Sequence, residues 1–207
     1  MIPGRAILAL SFLTVVGSCS SPGDSKPPGE PSPPSVANPH APPSPASTPQ
    51  PAGTLAFSAP PGWVSETPTS SMRKAQYRLP HVDSDGEDAS LVVYFFGGGG
   101  GSAQANIERW AGQFEQPDGS SSSAALRSET RDVNGLKTTE VELSGTYVAE
   151  TAPGSGEHVR KEGWRMLASI VEASEGPYFV KLVGPQATVA RWETSYRAFL
   201  SGMKPGS

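Results

Sequence analysis

Between Ser20 and Gly53 the chain carries twelve of its 22 prolines and no aromatic residue, with Pro-Pro and Ser-Pro steps recurring throughout. Proline fixes φ and removes a backbone donor, so a run of this density supports neither a helix nor a strand ladder. It also offers too little apolar surface to offset the entropy of ordering the chain. The segment reads as a spacer leaning towards polyproline II. Its 34 residues, at about 3.1 Å each, would reach roughly 100 Å. A docking site for a proline-recognition domain is the sharper reading of the same composition, but a spacer already accounts for it. His40 stands alone in this run as a solvated side chain without a metal.

On the N-terminal side, Arg5 precedes an apolar run of eleven residues, Ala6 to Val16. That length suits the hydrophobic core of a signal peptide and falls short of the roughly 20 apolar residues that a spanning helix needs. Val16-Gly17-Ser18-Cys19 follows, an aliphatic residue and two small ones before the chain's only cysteine. This resembles the bacterial lipoprotein signal, over residues 1–19. The resemblance implies cleavage after Val16, Gly17 and Ser18, a diacylglyceryl group on the Cys19 thiol, and Cys19 as the mature N-terminus. Two or more acyl chains, each contributing about 0.8 kcal/mol per buried CH₂, hold a protein on a membrane where one binds only reversibly. A lipidated Cys19 therefore needs no further membrane element. Ser20, where an Asp would stand in a retained lipoprotein, resembles the outer-membrane-directed case in a diderm envelope, with the domain facing the periplasm or the exterior. An ordinary secretory signal with a chance cysteine and an uncleaved hydrophobic tail are the competing readings. The expected division is a signal peptide over 1–18, a lipidated cysteine and linker over 19–53, and one folded domain over 54–207.

Charge narrows the partners. The formal net charge is −4, and loss of Arg5 with the leader leaves 15 basic against 20 acidic side chains, a net of −5. Nucleic acid would demand a clustered basic surface that the sequence does not show. Anionic lipid gains no attraction either, so membrane attachment has to be covalent. One cysteine cannot form an internal disulfide, and the compartment rests on the leader alone.

Order is expected from Thr54. Leu55-Ala56-Phe57 before Pro60-Pro61-Gly62-Trp63 predicts a short strand and a turn. From Ser71 to Leu79, Ala75, Tyr77 and Leu79 alternate with Lys74, Gln76 and Arg78, a half-buried strand stopped by Pro80. Ala89 to Phe96 is a nearly unbroken β-branched and aromatic run, which predicts a central strand covered on both faces. After Gly97 to Gly101, Ser102 is a candidate N-cap. It opens a helix with Ala103, Ile107, Trp110, Ala111 and Phe114 on one face, ending before Pro117. Asp118 to Ala125 reads as a small-residue loop. Asn134-Gly135 between Arg127–Val133 and Leu136–Val148 is a strong hairpin signal. Glu150 to Gly163 reads as a second polar loop. Trp164–Glu172 and Tyr178–Val183 form another hairpin around Ser174 to Pro177. Gly184-Pro185 then opens a helix with Val189, Trp192, Tyr196, Phe199, Leu200 and Met203 on one face. The expected class is α+β: a mostly antiparallel sheet of about six to seven strands covered by two amphipathic helices.

Several stretches together carry a family resemblance: Phe57 to Trp63, Met72 to Tyr77, Leu79-Pro80, Asn106 to Trp110 with Gln113-Phe114, and Gly184-Pro185 before a helix ending Phe199-Leu200. Spread over most of Thr54 to Met203, they resemble the PsbP-like α/β/α sandwich. That resemblance implies a binding or assembly module without enzymatic activity, and it carries no functional residue over to this chain.

Motif chemistry is sparse. Gly97 to Ser102, between a strand and a helix, invites anion binding at the helix start. It lacks the Lys-Ser/Thr ending of a phosphate loop and the glycine spacing of a dinucleotide fingerprint, so a flexible connector is expected. Asp83, Asp85, Glu87 and Asp88 could offer oxygen ligands to Ca²⁺, yet Gly86 and Tyr94 stand where an EF-hand pattern forbids them, and a solvated acidic turn is expected. His81 and His158 have no zinc-site spacing, and no serine stands in a nucleophile-elbow pattern. Trp63, Trp110, Trp164 and Trp192 fall on apolar faces and are expected in cores. No catalytic, metal or cofactor residue is assigned. The expected function is a membrane-anchored envelope lipoprotein presenting a non-catalytic module to a protein or cell-wall partner through loops such as Gly97 to Gly101 and Glu150 to Gly163. The alternative is a small-ligand carrier with a cleft between sheet and helix.

Overall fold

The computed structural model describes residues 54–151 and 154–206. In chain order these form β1 (Leu55–Ala56), β2 (Val64–Glu66), β3 (Arg73–Leu79), β4 (Ala89–Phe95), α1 (Ala103–Ala111), β5 (Phe114–Glu115), α2 (Ser122–Ala125), β6 (Arg127–Val133), β7 (Leu136–Tyr147), β8 (Lys161–Ala173), β9 (Gly176–Pro185), α3 (Gln186–Ser201) and β10 (Lys204–Pro205). Eight strands make one sheet in the order β2-β3-β4-β9-β8-β7-β5, with β6 also on β7. Every pairing is antiparallel. The sheet thus holds eight strands where the sequence predicts six to seven, because β2 and β5 are too short to give a period of their own.

Alternation along the central strands builds two cores. Leu91 and Val93 of β4 and Tyr178, Val180 and Leu182 of β9 face α3, where Val189, Tyr196, Phe199 and Leu200 cover them. The opposite face, with Phe179 of β9, Met166, Ala168 and Ile170 of β8 and Val141 and Leu143 of β7, is covered by Trp110 and Ala111 of α1. A sheet buried on both sides explains why β4 and β8 read as near-continuous apolar runs.

Local signals account for the element ends. Ser102 Oγ accepts a hydrogen bond from Ala105 N at 3.2 Å, capping α1 as its sequence suggests. The helix stops earlier than predicted, at Gly112, whose N–H satisfies the last carbonyls. Phe114 therefore lies on β5, paired with Tyr147, and still fills the core beneath α1. Asp118 to Ala125 is not all loop, since α2 occupies its end. Asn134 and Gly135 make the β6–β7 turn with φ of 54° and 79°, the left-handed values a two-residue hairpin requires. A register shift at Gly145/Tyr147 breaks the alternation of β7, and Thr146 is buried there. Met203 lies beyond the end of α3 but remains buried, and β10 then returns antiparallel to β1.

The polar turn before β4 also serves α3. Asp85 Oδ2 accepts from Thr188 N at 2.7 Å and Thr188 Oγ1 at 2.6 Å. A carboxylate at the first turn satisfies open donors and complements the helix dipole. Among the described residues no helix is long and apolar enough to cross a membrane, which says nothing of strands.

Candidate functional site

The α1-covered face carries a lysine, Lys181, among its apolar side chains. By strand alternation Lys181 shares a face with Phe179 and Val183 on β9. It pairs in register with Val92 of β4 and Ala168 of β8, so strands flank it on both sides. Its Nζ donates to Gln113 Oε1, just past α1, and to the Tyr147 hydroxyl at 3.4 Å. The ammonium also stands 5.1 Å from the centroid of the Tyr147 ring. Burial, and after it the Arg109 guanidinium, push this amine down to about 7.

Lys181 borders a cavity of about 170 Å³ between α1 and the sheet. Tyr94, Phe96, Trp110 and Phe179 supply aromatic walls, while Arg109 and Gln113 supply polar ones. No carboxylate lines it. Burial raises the phenol of Tyr147 to about 12, with the neighbouring Tyr94 adding to the shift, so it stays protonated at neutral pH. The Tyr94 phenol is likewise raised by burial, with Arg73 pulling it partly back. A guanidinium, an amine that titrates at about 7, two neutral phenols and a side-chain amide thus meet among rings. The arrangement is suited to holding an anionic group.

The glycine run seals one end of this region. Asn106, only 1% exposed, donates from Nδ2 to Gly100 O at 2.8 Å and Ser102 O at 2.9 Å. Arg109 donates to Asn106 Oδ1, which links the loop to the cation in the cavity wall. A Cβ on Gly100 would lie 2.5 Å from Phe179 Cε2, so only glycine lets the backbone pass this close. Within Gly97 to Gly101 it is Gly100 that packs onto two rings bordering the cavity, Phe179 and Phe96, while Gly97 and Gly98 have nothing within 4 Å of where a Cβ would stand.

A second cavity, about 220 Å³, lies on the α3 face beside Tyr196, Glu140 and Glu142. Glu140, Glu142 and Arg197 in its wall are already paired, and Arg127 and Glu129 line it as well. Arg131, Glu140, Arg197, Glu193, Arg165 and Glu142 form one alternating chain of ion pairs across β6, β7, β8 and α3. That chain reads as a structural clamp, whereas the Lys181 cavity holds positive charge with no anion beside it.

The residues singled out from the sequence go to varied places. Val16, Gly17, Ser18, Cys19 and His40 lie outside the described residues, as does the linker up to Gly53. Asp88 accepts from Arg78 and pairs with His81, each at 2.6 Å, and these bonds hold its carboxyl far below the usual range. Glu87 pairs with Lys161 at 2.5 Å. With Asp85 turned to Thr188, the acidic turn does not converge on one point. His158 sits on a bridge to Glu150, with its Nδ1 3.3 Å from Gly156 O, and shares no partner with His81. Trp63 and Trp110 are buried in opposite cores. Trp192 donates to Pro80 O at 2.8 Å, and Trp164 stacks on Tyr147 with centroids 5.4 Å apart. Lys181, the residue on which the cavity turns, drew no attention in the sequence. A lysine between Phe179 and Val183 on a strand expected to sit in a covered sheet is the signal that could have found it.

No family model and no curated protein matches the chain. Solved structures that are similar to it include the following three. A Pseudomonas aeruginosa protein of unknown function, PA94, is 12% identical over 64% of this chain and 82% of its own, with a TM-score of 0.41. The cyanobacterial PsbP of Synechocystis sp. PCC 6803 is 13% identical over 73% of this chain and 86% of its own, with a TM-score of 0.43. LpqN of Mycobacterium tuberculosis, described as involved in cell envelope biogenesis, is 10% identical over 78% of this chain and 88% of its own, with a TM-score of 0.41. At these identities the likeness concerns fold and carries no residue roles.

Proposed function

We propose that the chain is a lipid-anchored protein of the bacterial cell envelope that displays a non-catalytic binding module on a proline-rich tether. The observation that carries this is the position of the only cysteine, Cys19, between an apolar leader and a proline-rich run. Lipidation at Cys19 accounts for the leader, the small residues Gly17 and Ser18, and the spacer that follows. Ser20 favours the outer membrane where the envelope has two. The test is fractionation of cells expressing Cys19→Ser. The variant is expected in the soluble fraction, and membrane retention equal to the native chain would overturn the anchor.

Within that reading the cavity between α1 and the sheet favours a small-ligand carrier over a module that grips a macromolecule by its loops. The Glu150 to Gly163 segment supports this choice. Thr151 N donates to Glu157 O at 2.8 Å and Val159 N to Ala149 O at 3.0 Å, so two of its backbone donors are already taken. Crosslinking in cells distinguishes the two, because a loop-binding module would yield a specific protein or cell-wall adduct and a carrier would not.

A further inference from the structure

We propose that the Lys181 cavity is a site for a small anion with a flat apolar body, an aryl carboxylate in its simplest form, held by Lys181 and Arg109. This rests on the reading of the domain as a ligand-binding module and names the chemistry of its ligand. Charge is the first ground. The two cations are close enough to repel, and the cavity they border has no carboxylate to offset them. An anion between them would relieve that repulsion and give Lys181, whose partners are the neutral Gln113 and Tyr147, a charged one.

Shape is the second ground. Trp110, Phe96, Phe179 and Tyr94 present rings on the walls, and Tyr94 and Phe96 lie parallel, with centroids 5.9 Å apart and planes 4° from each other. Rings favour an offset or edge contact with another ring, so a flat body is accepted more readily than a branched one. A cavity of about 170 Å³ has room for a single ring and its acidic group but not for a drug-sized molecule.

Polar reach is the third ground. Tyr147 and Tyr94, both protonated at neutral pH, are able to donate to an anion beside Lys181. The groups facing Lys181 are Arg109 from α1, Gln113 from the turn after it, Tyr94 from β4 and Tyr147 from β7, while β8 presents the apolar Ala168. None of these is negative. Anion binding therefore favours the ammonium form of Lys181 and takes up a fraction of a proton.

The test is titration of the full-length chain with benzoate and, in parallel, neutral benzamide, followed by calorimetry. Benzoate is expected to bind at least about tenfold more tightly than benzamide, and its affinity to fall as pH rises from about 6 to about 8. Lys181→Met and Arg109→Met are each expected to abolish the difference between the two probes. Their circular dichroism is read alongside, and Arg109→Lys, which keeps the charge, is expected to retain the preference should Arg109→Met unfold. Equal binding of benzoate and benzamide, no binding of either, or a benzoate preference that survives in Lys181→Met would overturn the proposal. These outcomes leave the anchor untouched, because fractionation of Cys19→Ser is read independently.

Discussion

The hydroxyls of Ser169 and Tyr196 meet at 2.8 Å between β8 and α3, at residues that are 0% and 2% exposed. It is a buried polar contact between the long helix and the sheet, beside the Arg165–Glu193 and Arg197–Glu140 ion pairs. Ser169→Ala would strand the tyrosine hydroxyl without a partner, at a cost of about 1–3 kcal/mol. Removing both hydroxyls in Ser169→Ala/Tyr196→Phe takes away the stranded group as well, so the double variant should lose less than the sum of the singles by about 0.5 kcal/mol or more. Urea unfolding of the four proteins measures this, and strict additivity would show that the bond contributes nothing.

Asn134 joins two functions in one turn. Its φ of 54° suits the hairpin, and its Nδ2 donates to Ser201 O at 2.9 Å and Met203 O at 2.7 Å, closing the end of α3. Asn134→Gly relieves the backbone but discards both bonds, whereas Asn134→Ala discards the bonds and adds strain. The alanine variant should therefore be the less stable, by about 1 kcal/mol relative to glycine. Equal midpoints in thermal melts would refute this ranking.

The contrast between these contacts explains what could be read in the sequence. The Asn134-Gly135 turn, the Ser102 cap and the central strand β4 are local: their signals lie within a few residues of what they specify. The capping of α3 by Asn134 joins residues 67 and 69 positions apart, and no local pattern contains it. The same holds for β1 with β10 and for β5 with Tyr147, two-residue pairings whose partners come from distant segments. Phe114 kept the helical period by coincidence, since Gly112 had already ended α1. The Lys181 cavity is hidden for a further reason. A lysine inside an alternating strand looks like a solvated position until the sheet is known to be covered on that side as well.

Gly184 on β9 packs against Ala89 on β4 so closely that an added Cβ would lie 2.6 Å from Ala89 Cβ and 2.7 Å from its Cα. Backbone on the receiving side cannot swing away as a side chain would. Gly184→Ala should cost about 1–3 kcal/mol by overpacking two central strands. Gly86→Ala, with nothing within 4 Å of the added carbon, serves as the control and should cost far less. Denaturant midpoints compare them, and parity between the two would contradict the crowding.

Lys181 also makes a claim about stability that needs no ligand. Its folded amine titrates at about 7 against an ordinary value of 10.5. Between those values the unfolded chain holds a proton that the folded chain does not, so stability rises with pH across that window and is flat below it. Lys181→Met has no proton to lose and fills much of the same volume with an apolar side chain. The variant should therefore be more stable than the native chain at about pH 6, by an amount on the order of a few kcal/mol. That advantage should shrink steadily as pH approaches about 10. Urea titrations at a series of pH values decide it. A stability difference that does not change with pH would mean that Lys181 keeps its charge solvated, and would remove the electrostatic ground for an anion beneath α1.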